Sequence, residues 1–134
     1  MRVFLDSNVP MYVAGRAHAC RAPSLRFLER VRAGEVALVT STEVLQEILF
    51  RYTGLQRLDL AAEVYDAVVD LCEEVLDVTL AATDRARDLL VAHPSLSARD
   101  AVHAGVMLTR GIQRIATFDA GFDAVPGVER VELP

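Results

Sequence analysis

The chain has 134 residues, of which 52% are hydrophobic, and its mean hydropathy is +0.27. This size and apolar content are typical of one compact domain over residues 1–134, and they exclude a disordered chain or a two-domain enzyme. The net charge of −5 does not by itself indicate a nucleic-acid partner, although the remaining surface would be nearly neutral if several carboxylates belonged to a metal site.

The first half of the chain alternates short apolar runs with segments of helical periodicity. The run at 2–5 is followed by Asp6, Ser7 and Asn8, which is typical of a strand that ends at the start of a helix. The predicted elements of this half are a strand at 2–5, a helix at about 7–14, a helix from Pro23 to a stop at Gly34, a strand at 36–40, and a helix from Val44 to a stop at Gly54.

The second half continues the same alternation. Its predicted elements are a helix at 58–72, a strand at 75–78, a helix at 81–93 ended by Pro94, a helix at 97–110 ended by Gly111, a strand at 114–117, and a last short strand at 128–133. Strands that alternate with helices are joined by right-handed crossovers. We therefore predict an α/β fold of three layers, with a short, mainly parallel sheet of four to five strands between helices.

Four acidic residues lie just after predicted strands or in the helices that follow. Asp6 and Asp119 come directly after strands, and open α/β sheets bind ligands at the carboxyl ends of their strands. Asp100 lies in the first turn of a helix, where the helix dipole favours an anion, and Glu47 borders an apolar helical stripe. The structural alternatives are a helix cap for Asp6, a capping box with Ser97 for Asp100, a turn for Asp119 and a solvated helix edge for Glu47.

Glu43 is the alternative to Glu47, because it lies one helical turn earlier. The spacing from Thr40 to Glu43 is that of a capping box, and Glu43 lies farther from the apolar stripe. We therefore assign Glu47 to the site and Glu43 to the cap.

Four short segments contain these acids together with their neighbours. They read Val3-Phe4-Leu5-Asp6-Ser7-Asn8, Ser41-Thr42-Glu43-Val44-Leu45-Gln46-Glu47-Ile48, Ser97-Ala98-Arg99-Asp100-Ala101 and Ala116-Thr117-Phe118-Asp119-Ala120-Gly121-Phe122. Their order and spacing over nearly the whole chain resemble the PIN-domain family, and more closely its VapC-like toxins. The resemblance implies an acidic quartet of Asp6, Glu47, Asp100 and Asp119, with Asn8 and Thr117 as polar helpers. Asp123, four residues after Asp119, is a further candidate carboxylate.

The same resemblance implies Mg²⁺ or Mn²⁺ as cofactor, RNA as substrate, a homodimer, and a cognate antitoxin protein whose peptide blocks the cleft. Grouped carboxylates suit a hard divalent cation that keeps positions open for substrate phosphate and water. Our hypothesis is an endoribonuclease that hydrolyses phosphodiester bonds with a metal-activated water. In it Asp6 is the central ligand, Glu47 and Asp100 hold one ion, and Asp119 completes the site.

Two other function classes remain as alternatives. One is a catalytically silent PIN-like module that binds RNA or protein without cutting it. The other is a phosphoryl-transfer protein, which is disfavoured because the chain has no lysine and Asp6-Ser7-Asn8 lacks the second aspartate of the phosphatase motif. A Walker-type GxxxxGK[ST] motif and a GxGxxG motif are also missing, so nucleotide chemistry has no support.

The histidines and phenylalanines do not form a recognisable catalytic motif. We interpret His18, His93 and His103 as surface or hydrogen-bonded residues, although His103 lies one turn from Asp100 and could reach the cleft. The phenylalanines are expected in the core, and Phe122 is the one that we would test for base stacking.

The chain carries no indication of a membrane segment or a disulfide. The apolar run before Asp6 is too short for a signal peptide or a membrane span, so we expect a cytoplasmic protein. Cys20 and Cys72 stand alone, without a CxxC pattern, and predict neither a disulfide framework nor a zinc site.

Overall fold

The computed structural model describes residues 1–133, and these form an α/β fold in which short strands alternate with helices. The elements are β1 (Arg2–Leu5), α1 (Asn8–Ala14), α2 (Arg21–Arg32), β2 (Ala37–Ser41), α3 (Thr42–Gly54), α4 (Leu58–Leu71), β3 (Glu74–Leu76), α5 (Leu80–Ala92), α6 (Ala98–Thr109), β4 (Arg114–Ala116), a 3₁₀ helix (Ala120–Ala124) and β5 (Glu129–Arg130).

The five strands form one sheet in the order β3-β2-β1-β4-β5, and every neighbouring pair is parallel. Strand β1 lies in the centre, where Val3 is in register with Leu38 of β2 on one side and Arg114 of β4 on the other. Val3, Phe4 and Leu5 have no exposed surface, which is typical of a parallel strand covered on both faces. The predicted class and the predicted parallel sheet are confirmed.

The helices divide into two layers because the direction of the crossovers reverses once. The chain moves from β1 to β2 and β3 in one direction, and then returns past β1 to β4 and β5. Right-handed crossovers therefore place α1 to α4 on one face, and α5, α6 and the 3₁₀ helix on the other. The packing agrees, since α1 contacts α2 and α4, α3 contacts α4, and α6 contacts α5 and the 3₁₀ helix.

Most predicted boundaries lie within one or two residues of the observed ones, and the exceptions have local causes. Gly54 does not end α3 but belongs to it, and the chain turns at Gln56, whose φ of 57° is left-handed. The last strand is limited to Glu129–Arg130, because it pairs only with the three-residue strand β4 at the edge of the sheet. By contrast, Gly34 and Gly111 follow their helices with positive φ, as a glycine stop requires.

The capping box predicted between Thr40 and Glu43 is wrong. The N-cap of α3 is Ser41, whose side chain accepts a hydrogen bond from the Val44 amide at 3.4 Å. Thr40 belongs to β2, and its hydroxyl donates to the carbonyl of Leu5 in the neighbouring strand at 2.9 Å. Across residues 1–133, none of the helices combines the length and apolarity needed to span a bilayer.

Candidate metal and active site

The candidate site lies at the carboxyl ends of β1 and β4, where the strand order reverses. Chain connections leave these two adjacent strands in opposite directions, which opens a crevice at the edge of the sheet. Asp6 follows β1, and its backbone amide extends the strand pairing by donating to the Ala116 carbonyl at 3.1 Å. Thr117 and Asp119 follow β4 at the same edge.

Asp6 is held in one orientation by three donors. Its Oδ1 accepts from the Ser7 amide at 2.7 Å, and its Oδ2 accepts from the Thr117 hydroxyl at 2.7 Å and from the Asn8 amide group at 3.5 Å. The residue is 5% exposed, and burial raises the pKa of its carboxyl, against the charge of His103 and the bond from Thr117. The orientation of the Asp6 carboxylate is therefore fixed, and burial makes its charged form less stable than it would be in water.

Thr117 joins the two strand ends through its hydroxyl group. While donating to Asp6, its Oγ1 accepts from Asn8 Nδ2 at 3.0 Å and from the Asp119 amide at 3.0 Å. Asn8 Oδ1 in turn accepts from the Phe118 amide at 3.4 Å. All the hydrogen-bonding capacity of the hydroxyl is used, so Asn8 and Thr117 position the neighbouring acids.

Glu47 reaches the site from the second turn of α3 and is 6% exposed. Its Oε2 accepts from the Ser7 hydroxyl at 2.6 Å, while its Oε1 lies 2.5 Å from Nε2 of His103. Burial raises the pKa of this carboxyl, but the contact with His103 and the bond from Ser7 outweigh burial, and the net pKa is lowered. Glu43 is half-buried in the first turn of α3 and has none of these contacts.

His103 is the residue of this cluster whose placement differs from the sequence interpretation. It is not a surface histidine: it has no exposed surface, and its Nε2 lies 3.8 Å from Asp6 Oδ1 as well as 2.5 Å from Glu47. Burial lowers the pKa of the imidazole, but the carboxylates of Glu47, Asp6 and Asp100 outweigh burial and raise it. The signal available in the sequence was its position three residues after Asp100, which puts both on one helical face.

Asp100 and Asp119 form the more open side of the site. Ser97 caps α6 by accepting from the Asp100 amide at 3.1 Å, so the predicted cap is present, yet the Asp100 carboxylate faces the other acids. A Cβ placed on Gly121 would lie 3.0 Å from Asp119 Oδ1 and 3.1 Å from Asp100 Oδ2, which puts Gly121 against both carboxylates. Burial, then Asp119, then the charge of Asp6 raise the pKa of Asp100 to about 7.

Asp123 is paired with an arginine at the edge of the site, and Phe122 lies in the core. Both carboxylate oxygens of Asp123 accept from Arg130 at 2.8 Å. The charge of Asp119 also acts on Arg130. Phe122 has no exposed surface, as predicted for a core phenylalanine, and offers no ring face for base stacking, whereas Phe50, also expected in the core, is 73% exposed.

The donor set fits a divalent cation. Asp6, Glu47 and His103 each offer one ligand atom, and these three atoms lie within 4.8 Å of one another. Among the described residues, Glu47 Oε1 and both ring nitrogens of His103 are buried without a hydrogen-bond partner, since the 2.5 Å approach lacks the direction of a hydrogen bond. Buried polar atoms of this kind are rare and costly, and a cation held by the carboxylates would satisfy Glu47 Oε1. Carboxylate oxygens suit Mg²⁺ and Mn²⁺.

Comparison with known proteins identifies relatives over almost the full chain. A family model described as PIN domain matches residues 3–128. The Mycobacterium tuberculosis protein named Ribonuclease VapC13 is 40% identical over 129 residues, which are 96% of this chain and 98% of that protein. Ribonuclease VapC23 of the same species is 40% identical over 120 residues, which are 87% of this chain and 92% of that protein.

Solved structures share the fold. VapBC2 from Rickettsia felis, bound to a DNA fragment from its promoter, superposes with a TM-score of 0.78 at 16% identity, covering 98% of both chains. VapC20 of M. tuberculosis, described as a toxin that cleaves the sarcin-ricin loop, superposes with a TM-score of 0.72 at 25% identity, covering 91% of this chain and 93% of that chain. The predicted three-layer architecture is thus confirmed by structures of like topology.

Proposed function

The chain belongs to the PIN-domain family, and from this premise we propose that it is a metal-dependent endoribonuclease and the toxin of a type II toxin-antitoxin pair. One observation supports the catalytic part above all: Asp6, Glu47 and Asp100 are buried at one strand edge, and Asp119 lies exposed beside them. Buried carboxylates in mutual contact are costly unless a cation is their partner.

Each acid has a distinct role in this proposal. Asp6 is the central ligand, because Ser7 and Thr117 lock its orientation at 2.7 Å each. Glu47 is the ligand on the buried side, and Asp100 is the ligand on the open side. Asp119, which is exposed, faces the approach of the substrate and widens the site.

Mg²⁺ or Mn²⁺ is the proposed ion, and when bound it would supply positive charge for phosphate oxygens and acidify a water molecule. The protein supplies the geometry: Thr117 and Asn8 hold Asp6, Ser7 holds Glu47, and Gly121 leaves room for two carboxylates side by side. No serine, cysteine or histidine nucleophile is required, because the phosphodiester bond is hydrolysed by water. Protonated His103 balances the charge of Glu47 and Asp6 before an ion binds.

We also propose an antitoxin partner and a homodimer. The antitoxin is supported by solved structures of the same fold, which include one described as a toxin-antitoxin complex from Klebsiella pneumoniae. The homodimer is supported by exposed apolar side chains in and near the α3–α4 connection: Phe50 of α3 is 73% exposed, and Leu58 at the start of α4 is 71% exposed. An RNA substrate and an antitoxin partner favour the cytoplasm as the place of action. Light scattering of Leu58→Glu tests the dimer, because a charge there should produce monomers.

The decisive test of the activity compares RNA cleavage in Mg²⁺, Mn²⁺ and EDTA. Purified protein without antitoxin is incubated with total RNA beside Asp6→Asn and Asp100→Asn. Asp88→Asn is the matched control, because Asp88 is an exposed acid of α5 paired with Arg87 at 3.1 Å, outside the site.

We expect metal-dependent cleavage by the parent and the control, and none by the two site variants. A folded Asp6→Asn protein that cleaves at the parent rate in the same metal would contradict the assignment of Asp6. Absence of cleavage in both metals would favour the catalytically silent module.

A further inference from the structure

Three aromatic rings meet where α1 and the α1–α2 connection pack against the segment that follows β4. The rings of Tyr12 and His18 are stacked, with centroids 4.6 Å apart and an interplanar angle of 26°. The ring of Phe118 meets Tyr12 edge-on, at 5.3 Å and 90°. We refer to Tyr12, His18 and Phe118 as the aromatic cluster.

The cluster is attached directly to the groups that hold the acids. Phe118 stands between Thr117, which orients Asp6, and Asp119. The Phe118 amide donates to Asn8 Oδ1 at 3.4 Å, and Tyr12 follows Asn8 by one turn of α1. Phe118 is therefore adjacent in the chain to Asp119 and to the threonine that holds Asp6, and Tyr12 and His18 are joined to it by ring contacts.

Exposure separates this cluster from the rings of the core. Phe4, Phe27 and Phe122 are at most 1% exposed, whereas Tyr12 and Phe118 are only half-buried and His18 is exposed. Phe118 also lines a groove of about 530 Å³ with Thr117 and Arg130. Of the three rings, Phe118 is the one that lines this groove, and a half-buried ring beside open space can accept a flat ligand.

The α1–α2 side of the cluster carries positive charge, whereas the groove on the Phe118 side also contains Asp123, Glu129 and Glu132. From Ser7 to Leu28 the chain contains no acidic residue and three arginines, although the net charge of the whole chain is −5. Arg16 and Arg21 are exposed in the connection that also bears His18, and Arg21 is fixed to the end of α1 by donating to the Val13 carbonyl at 3.3 Å. Positive charge beside exposed rings is the combination that single-stranded nucleic acids bind.

We propose that Tyr12, His18 and Phe118 form a stacking platform for an unpaired nucleobase of single-stranded RNA next to the scissile phosphate. This inference rests on the proposed ribonuclease function and assigns residues that position the strand in that site. A base in a duplex is already stacked on its neighbours, so only an unpaired base can use the platform. Stacking tolerates all four bases, so the platform positions the strand and does not read its sequence.

The test measures binding in EDTA, where the ion needed for cleavage is removed. The probe is a short single-stranded RNA that carries 2-aminopurine, and its fluorescence and anisotropy are followed on titration. Phe118→Leu and Tyr12→Leu remove a ring, and Phe118→Tyr keeps one. Tyr65→Leu is the control, because Tyr65 is a half-buried tyrosine of α4 outside the cluster. Circular dichroism confirms that each variant is folded.

We expect quenching of 2-aminopurine by the parent, and binding weakened about 10-fold or more in Phe118→Leu and Tyr12→Leu. Phe118→Tyr and Tyr65→Leu should bind the probe as the parent does. A probe with abasic nucleotides should bind the parent about 10-fold more weakly, as the intact probe binds the leucine variants. Equal binding by the parent and both leucine variants, or no quenching by the parent, would overturn the inference. Cleavage by the parent in Mg²⁺ or Mn²⁺ is scored separately, so failure of the platform is distinguished from failure of the nuclease.

Discussion

Nε2 of His103 lies 2.5 Å from Oε1 of Glu47, with neither residue exposed by more than 6%. Asp6 lies 3.8 Å from the same nitrogen, and the raised pKa of His103 favours a protonated imidazole between the two carboxylates. Removing one partner of a buried charged group leaves the other uncompensated, which commonly costs about 3–5 kcal/mol.

His103→Gln should therefore unfold at a clearly lower temperature than the parent in EDTA. Mg²⁺ or Mn²⁺ should recover part of the loss, because an ion replaces the missing positive charge beside Glu47 and Asp6. Differential scanning fluorimetry with and without metal measures both effects. His93→Gln at the end of α5 is the control, and an unchanged melting temperature of His103→Gln in EDTA would speak against the charge-balancing role.

Glu47→Gln and Glu43→Gln form a matched pair on the first two turns of α3. Glu47 is buried against Ser7 and His103, whereas Glu43 is half-buried in the first turn without those contacts. We expect Glu47→Gln to lower the cleavage rate by more than about 10- to 100-fold and Glu43→Gln to have little effect. Single-turnover cleavage assays in Mn²⁺ test the assignment. If Glu43→Gln lowered the cleavage rate more than Glu47→Gln, the site glutamate would be Glu43.

Asp100 should make the stability of the metal-free protein depend on pH. Its pKa is raised to about 7 in the folded protein, from an ordinary value of 3.8, so the folded state binds more protons than the unfolded state between these values. The contribution of Asp100 should therefore fall as the pH rises from about 4 to about 7 and stay at the lower level above it. The raised pKa of His103 adds a further loss of stability as the pH rises above about 6.5.

Asp100→Asn removes this carboxylate and its penalty. In EDTA at pH 8 the variant should melt several degrees above the parent, and the difference should shrink as the pH approaches 4. Added Mn²⁺ should stabilise the parent and leave the variant nearly unchanged. Melting curves across this pH range test the prediction. A lower melting temperature for Asp100→Asn than for the parent at pH 8 in EDTA would contradict it.

Gly121→Ala should weaken metal binding while leaving the fold intact. The new methyl group would lie 3.0 Å from Asp119 Oδ1 and 3.1 Å from Asp100 Oδ2, which pushes two proposed ligands apart. Isothermal titration with Mn²⁺ should give an affinity lower by about 10-fold, as for other changes that disturb ligand orientation. Gly54→Ala is the control, because a Cβ there meets no atom within 4 Å, and equal affinities of the two variants would contradict the prediction.

Gly105→Ala should lower the stability of the fold itself. Gly105 of α6 faces α5 so closely that a Cβ would overlap the backbone carbonyl oxygen of Ala82, and the helices would have to separate. We expect a loss of about 1–3 kcal/mol in urea unfolding, as for other overpacked cores. Gly54→Ala should instead gain about 0.5 kcal/mol, since alanine favours an open helical position. Equal stability of the parent and Gly105→Ala would show that α5 and α6 separate without cost.

Most of the helices and strands could be predicted from the sequence, because they depend on residues that are neighbours in the chain. The apolar run at 2–5, the alternation of strands with helices, and the glycine stops at Gly34 and Gly111 are set by neighbours in the chain. The same reasoning failed where two local signals competed. Thr40 and Ser41 can both begin a helix, and only the pairing of β2 with β1 commits Thr40 to the strand.

The candidate site was predictable in part for the same reason. Asp6 and Asp119 follow strands of a parallel sheet, and parallel strands end at a common edge, so their proximity to that edge follows from topology. Whether Glu47 or Glu43 faces inward depends on how α3 docks on the sheet. The contact of His103 with Glu47 joins α6 on one face of the sheet to α3 on the other, a relationship that no local pattern contains.

The sequence by itself therefore determined the class of fold, the order of its elements and the acids that end its strands, since hydrophobic periodicity and turn residues act over a few positions. Only the tertiary structure decided which side chains meet: the buried ion pair of His103 and Glu47, the pairing of Asp123 with Arg130, and the half-buried ring of Phe118 beside a buried Phe122. These contacts depend on the packing of two helical layers around one strand edge, where residues far apart in the chain are brought within a few ångströms.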